Sequence, residues 1–257
     1  MLFLRPTAQP LPATAEPLSG PPLDIIFVGA HPDDVEIACG GTIHRLSQQG
    51  YRVGVIDLTD GEPTPHCPSP EIRWSEAQAA AEILQLAYRR ILPLPNRRLF
   101  DDFETRLALA REFRRWRPRV VVGLGNKTPM ASPDHFQAVQ ITDAAVFYSR
   151  LSKWDDFFDG FPVHTIQRQL YYCLSFEPTP PAGMTSPFTV DIGSSLDAKL
   201  RAIACYQTQF PPSKGDILER VQSLAKSIGM AAGFEAGETF SNTRPLGTTD
   251  LIKFLNL

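Results

Sequence analysis

Residues 24–36 read Asp24-Ile25-Ile26-Phe27-Val28-Gly29-Ala30-His31-Pro32-Asp33-Asp34-Val35-Glu36. The apolar run Ile25 to Val28 has the build of a short strand, and from Glu36 an amphipathic stretch runs to Gln49 and stops at Gly50, as helices stop at glycine. Strand, tight turn and helix thus follow in order. The turn between them carries one imidazole and two carboxylates.

The same alternation continues outward. Short β-branched runs at 23–29, 52–58, 90–94 and 120–124 predict strands, separated by helical patterns at 36–49, 71–87 and 103–116. In the last of these Phe103, Leu107, Ala110 and Phe113 share one face. Strands separated by helices imply an α/β fold with a mostly parallel sheet. A helix from His135 to Tyr148, an aromatic stretch from Trp154 to Phe161, strands at 169–174 and 188–191, and helices at 194–206 and 217–230 complete the reading, with the remaining C-terminal residues read as irregular. Six prolines fall within residues 1–22, which predicts a loosely attached arm, with one domain over 23–257.

Composition excludes several classes. With 25 basic against 28 acidic residues the net charge is −3, so no global field points to nucleic acid or an anionic membrane. Arginines 106, 111, 114, 115, 117 and 119 are interleaved with Glu104 and Glu112 and read as a solvated helix face. Cys39, Cys67, Cys173 and Cys205 lie far apart with no C-x-x-C pair, which points to reduced thiols and a cytoplasmic setting. No apolar run approaches a membrane span. Gly123-Leu124-Gly125-Asn126 lacks the further glycine spacing of a dinucleotide loop. A small-molecule substrate is the expectation that remains.

The chemistry-bearing strings all sit at expected strand ends, where open parallel sheets collect ligands. His31 to Asp34 follow the first strand, Asp60-Gly61-Glu62 the second, Pro95-Asn96 the third, and Ser132-Pro133-Asp134-His135 the fourth. A strand order of 3-2-1-4 would bring the two histidine turns face to face. His31, Asp34 and His135 then form a set of two imidazoles and one carboxylate with positions left open for water and substrate, the build of a catalytic zinc site that can also hold iron(II). Asp33 is spare, in the place a general base would take. The alternative is that Asp33 or Asp34 simply caps the following helix, with Pro32 fixing the turn. His44 and His164 read as packing or surface residues, His66-Cys67 as a loop at the crevice mouth, and Cys39 as a small apolar group behind the site.

Together these strings resemble the LmbE/PIG-L family of metal-dependent N-deacetylases. The likeness runs through Ala30-His31-Pro32-Asp33-Asp34-Val35-Glu36 with Gly40-Gly41-Thr42, then Thr59-Asp60-Gly61-Glu62 and Pro133-Asp134-His135. Arg73-Trp74-Ser75-Glu76-Ala77 is similar to the family's R-x-x-E-A helix, and 188–210 is similar to the C-terminal part of bacillithiol-pathway members. The resemblance implies a Rossmann-like sheet with helices on both faces and removal of an acetyl group from an N-acetylglucosamine-type amine. It implies His31, Asp34 and His135 as metal ligands, Asp33 as general base and then acid, Arg73 as a substrate contact, and a trimeric or hexameric assembly.

One position departs from the family pattern, which usually begins its second motif with histidine, where this chain has Ser132. A serine hydroxyl donates one hydrogen bond but carries no positive charge for an oxyanion. Three expectations follow: Ser132 or Arg73 takes over the role, the substrate supplies a group, or activity is weak. Two other functions fit the same residues, an amidase acting on another N-acyl or thiol conjugate and a catalytically retired, metal-holding carbohydrate-binding protein.

Overall fold

The computed structural model describes residues 20–128, 130–174, 186–214, 216–250 and 252. Residues 1–19 of the expected N-terminal arm lie outside that description. One sheet gathers β1 (Ile25–Gly29), β2 (Val53–Thr59), β3 (Tyr88–Leu94), β4 (Val120–Leu124), β5 (Arg168–Tyr172), β6 (Pro187–Asp191) and β7 (Gly237–Asn242). Their spatial order is β3-β2-β1-β4-β5-β7-β6. The first five strands are parallel to their neighbours, and β7 runs antiparallel between β5 and β6. The expected 3-2-1-4 order is present, with β1 and β4 side by side at the reversal.

Six helices, α1 (Asp34–Gln48), α2 (Pro70–Ile83), α3 (Phe103–Trp116), α4 (Asp134–Tyr148), α5 (Leu196–Ala204) and α6 (Ile217–Ala231), cover the sheet. Contacts divide them into two groups: α5 packs against α1, α2 and α6, while α3 packs against α4. β1 and β2 are buried on both sides, with Ile26, Phe27, Val53, Val55 and Ile56 excluded from solvent. None of the helices is long and apolar enough to cross a membrane.

Local signals account for the boundaries. α3 begins with a reciprocal capping box, Asp102 Oδ1 accepting from the Thr105 amide at 2.9 Å and Thr105 Oγ1 accepting from the Asp102 amide at 3.1 Å. It ends at Arg117, whose φ of 48° is the left-handed turn out of a helix. α1 holds Gly40-Gly41 in its middle for a packing reason. A Cβ on Gly41 would lie 2.6 Å from Ile192, and the bare backbone there lets the Glu238 carboxylate accept the Gly41 and Thr42 amides at 3.0 and 2.8 Å.

Two expectations are corrected. β7 falls in the stretch read as irregular, because Gly237-Glu238-Thr239-Phe240-Ser241-Asn242 shows only one large apolar side chain. Its burial rests on polar pairing instead, with Glu238 taking both α1 amides and the buried Lys199 ammonium. The arginine face of α3 is also not uniformly solvated. Arg114 is buried, stacked 3.4 Å over the Phe158 ring, and donates to the carbonyls of Ser149, Leu151 and Phe161. It holds the aromatic stretch onto the core, where Trp154 and Phe157 pack on Phe103.

Breaking a buried ion pair leaves an uncompensated charge in a low-dielectric interior. Lys199→Met is expected to lower unfolding free energy by about 3–5 kcal/mol in urea titration. A cost below about 1 kcal/mol would show that water reaches the pair.

Candidate metal centre

β1 and β4 pair in register, Ile25 to Val120 and Phe27 to Val122, so their carboxyl ends finish at one level. The chain leaving β1 folds back on itself at once. Asp34 Oδ2 accepts the amides of Ala30 at 3.1 Å and His31 at 3.0 Å, which closes the turn around a buried carboxylate. Thr59, at the end of β2, donates its amide and its hydroxyl to the Ala30 carbonyl, each at 3.0 Å, and locks the same turn from the other side.

Within that frame the three expected ligands meet. His31 Nδ1 is 3.5 Å from Asp34 Oδ2, His135 Nε2 is 3.4 Å from Asp34 Oδ1, and the two imidazole rings are 5.2 Å apart. One ligand atom from each of His31, Asp34 and His135 lies within 4.8 Å of the others. The set fits a divalent cation. His135 Nδ1 is buried without a hydrogen-bond partner among the described residues, so nothing there satisfies both ring nitrogens at once.

Asp134 is a neighbour of the candidate ligands that sequence reading gave no role. Its Oδ2 lies 3.3 Å from His31 Nε2 and accepts the Arg97 amide at 2.6 Å. By occupying Nε2 it leaves Nδ1 to face Asp34, the outer-sphere arrangement that orients histidine ligands. The aspartate immediately before His135 was the available signal. Burial alone would lower the His31 pKa, but hydrogen bonds to Asp134 and Asp34 outweigh it and hold the ring proton up to about 10. A cation entering the centre therefore displaces a proton. Asp34 is held well below the usual carboxylate range, the two imidazoles overcoming its burial.

Neither carboxylate of the turn caps α1. Asp33 sits at the N-cap position without a side-chain capping bond, and Asp34 is occupied with the amides of Ala30 and His31. Asp33 has a φ of 113°, a conformation that side chains rarely adopt and that costs on the order of 1–3 kcal/mol. That backbone brings its carboxylate to the cavity lining beside the metal ligands. Burial raises the Asp33 pKa to about 6, with the Arg73 guanidinium, 3.0 Å away, opposing a larger rise.

Arg73 is 2% exposed, donates to the Pro32 carbonyl as well as to Asp33, and leans over the Tyr206 ring. Its Nε and Nη1 are buried with no partner among the described residues. Ser132 also lines the cavity, but its Oγ already accepts the Asp134 amide at 3.3 Å. Three residues further along α2 from Arg73, Glu76 accepts the Thr208 amide at 2.8 Å and hydroxyl at 2.6 Å, which fixes Gln209 and Phe210 as a wall. The cavity measures about 640 Å³ and is lined also by Leu174, Ile217 and Arg220, positions that no sequence motif marked.

The remaining candidates separate from the centre. His44 pairs with Ser195 Oγ at 3.0 Å and His164 with the Pro118 carbonyl at 2.7 Å, both structural. Cys39 is buried in the core as expected. His66 and Cys67 do not line the cavity. Below the turn, Glu36 Oε1 accepts the Tyr206 hydroxyl at 2.8 Å and pairs with Arg89, whose Nε reaches Asp57 at 3.0 Å. This buried charge network ties α1, β2, β3 and the segment after α5 together under the site.

Comparison with known proteins gives the same picture. Residues 26–146 match the family model described as PIG-L, GlcNAc-PI de-N-acetylase. The chain is 27% identical to the diacetylchitobiose deacetylase of Thermococcus kodakarensis over 84% of its own length and 80% of that relative. It is 26% identical to the 1D-myo-inositol 2-acetamido-2-deoxy-alpha-D-glucopyranoside deacetylase 1 of Saccharopolyspora erythraea, covering 75% of this chain and 79% of that one. The crystal structure of a conserved protein from Thermus thermophilus, TT1542, superposes with a TM-score of 0.76 at 32% identity, over 88% of this chain and 97% of that one. With the histidine turns, the R-x-x-E-A helix and the Rossmann-like sheet all in place, the chain belongs to the PIG-L/LmbE family.

Proposed function

We propose that residues 23–257 form one catalytic domain, a zinc-dependent hydrolase that removes an acetyl group from an N-acetylglucosamine-type small molecule. The observation that carries this reading is the juxtaposition of a three-ligand cation centre, His31, Asp34 and His135, with an Asp33 carboxylate that none of the ligand positions needs. Deacetylation of amino sugars by the relatives named above supports the choice of bond and substrate. The free thiols support a cytoplasmic setting, and family membership supports a trimer or hexamer as the working assembly.

His31, Asp34 and His135 would hold the ion, which when bound supplies a Lewis acid and lowers the pKa of water. Asp33 takes a proton from the attacking water and returns it to the departing amine. Its pKa of about 6 suits both directions near neutrality. Asp134 keeps the His31 ring oriented throughout. As the acetamide carbonyl becomes tetrahedral its oxygen gains negative charge, and the chain's own answer to that charge is Arg73. The guanidinium lines the cavity beside Asp33 and is permanently positive. Ser132 is the lesser donor, since its hydroxyl, still free to donate while its oxygen accepts the Asp134 amide, carries no charge. Arg73 thus stands in for the imidazole that Ser132 lacks.

Amine release from N-acetylglucosamine derivatives should disappear on chelation and return with Zn²⁺. Asp33→Asn is expected to keep one metal per chain, measured by elemental analysis, while losing about 10²–10⁴-fold in kcat. Turnover undiminished by that substitution would favour a carbohydrate-binding protein. For the oxyanion, Arg73→Gln should cost about 10²–10³-fold in kcat and Ser132→Ala less than about tenfold. Adding Ser132→His to the Arg73→Gln variant should recover part of the loss. The reverse ranking of the single variants would return the role to Ser132.

A further inference from the structure

The short segment that follows α5 is fixed to the helix carrying Arg73. The Tyr206 amide donates to the Ile203 carbonyl at 3.1 Å, and the Tyr206 carbonyl accepts the amides of Gln209 at 3.0 Å and Phe210 at 2.8 Å, so residues 206–210 close one tight turn. Within that turn Thr208 donates its amide and its hydroxyl to Glu76 of α2. Gln209 Nε2 donates to Thr64 Oγ1 at 3.0 Å and ties the turn to the loop after β2. Tyr206 therefore cannot shift relative to Arg73, one helical turn from Glu76, unless these bonds break.

The Tyr206 side chain is excluded from solvent and held at its far tip, where the hydroxyl donates to Glu36 Oε1 at 2.8 Å. Glu36 is itself buried and paired with Arg89. With backbone and tip both fixed, the ring presents its face to Arg73, whose guanidinium carbon is 5.3 Å from the ring centroid. A cation over an aromatic face is attracted by the ring quadrupole, and more strongly where water is excluded. Arg73 needs such a contact. Its two hydrogen bonds, to the Pro32 carbonyl and to Asp33, both leave from Nη2, while Nε and Nη1 have no hydrogen-bond partner among the described residues. Bonds from a single nitrogen locate that nitrogen but leave the guanidinium plane able to pivot about it. A ring lying against the plane removes that freedom.

Resting on the reading of Arg73 as the group that answers the oxyanion, we propose that Tyr206 is a positioning residue for the deacetylation: Glu36 sets the ring, and the ring sets the plane of the Arg73 guanidinium. Tyr206 does not line the cavity, so it acts only through Arg73. Charge stabilisation in a transition state depends on donors held in place before the charge develops, and a misplacement on the order of 1 Å is costly. Loss of the ring should accordingly slow turnover while leaving the cation ligands and the binding of substrate in its ground state untouched.

The test compares zinc-loaded wild type, Tyr206→Phe and Tyr206→Leu, each with and without Arg73→Gln, in amine release from N-acetylglucosamine derivatives. Tyr206→Leu should lower kcat by about tenfold or more with KM changed less than about twofold, and Tyr206→Phe, which keeps the ring and loses only its tether to Glu36, should lose less. In the Arg73→Gln background both substitutions should change kcat by less than about twofold, because the group they position is gone. An equal loss in the two backgrounds, or a loss confined to KM, overturns the proposal. Tyr206→Phe conserves volume in the core, so the same comparison with Arg73→Gln stands on that variant if the leucine protein does not fold. The ¹⁵N-edited NMR signal of the Arg73 Nε–H, assigned by its absence in Arg73→Gln, reads the stacking without turnover. It should lie upfield under the ring in the wild type and move toward the free-arginine position when the ring is removed or its tether is cut. A signal indifferent to both Tyr206 substitutions overturns the proposal. A signal that moves as expected in a protein that hydrolyses none of the compounds upholds the positioning of Arg73 and sinks the deacetylase reading alone.

Discussion

The structure depends on one constraint, the in-register parallel pairing of β1 with β4 across the reversal of strand order. Parallel neighbours end on the same side of a sheet, so whatever follows each strand must share one crevice. Here that places the turn holding His31, Asp33 and Asp34 against the turn holding Ser132, Asp134 and His135, although about a hundred residues separate them in sequence. A two-residue slip in this pairing would preserve every inward-facing side chain and still carry the imidazoles some 7 Å apart along the strand axis, at about 3.3 Å per residue. The alternation of faces cannot guard against such a slip. The cross-connections do so instead, with Asp134 bonded to His31, Asp34 facing His135, and Thr59 pinning Ala30.

Those connections also explain why so many charges are tolerated beneath a metal centre. Asp34 divides its two oxygens between backbone amides and imidazoles, and the other buried acids beneath it are paired with arginines: Asp33 with Arg73, and Glu36 and Asp57 together with Arg89. Removing one member would expose the others to an uncompensated field. The arrangement trades stability for orientation. Burial, reinforced by the Glu36 and Asp34 charges, drives the Asp57 pKa up to about 7 even with Arg89 beside it.

Much of the first half of the chain was legible because its elements obey simple periodicities. β4 and α3 match their expected limits at 120–124 and 103–116, and His31, Asp34 and His135, which could hold a metal ion, sit at the strand ends where an α/β sheet should put them. β7 was hidden because Phe240 is the one large apolar side chain among its buried positions, the others including Glu238, Ser241 and Asn242, and such a strand looks like a loop until the partner of Glu238 is known. Arg114 was hidden for the complementary reason. An arginine among arginines reads as solvated, and only the three carbonyls converging on it reveal a buried anchor. The cavity residues Leu174, Ile217 and Arg220 come from stretches with no motif, since a wall is defined by shape rather than by residue type.

The two strained residues beside the centre make the same point from the opposite direction. Asp33 at φ 113° and Arg97 at φ 60° both stand where glycine would be easier, and both line the cavity. Gly61, at φ 75° and close to Arg73 and His31, shows what the fold does at a third such turn when no side chain is wanted. A Cβ at Gly61 would meet the Arg73 guanidinium at 3.5 Å, an ordinary van der Waals distance, so its φ rather than its space favours glycine, whereas the strain at 33 and 97 is maintained by hydrogen bonds to Arg73 and Asp134 respectively. At these two positions the strained backbone belongs to residues that line the cavity, and on the proposed reading the departure at Ser132 is a transfer of function to Arg73 rather than a loss. The charged groups that cost most to place are retained on either side of it.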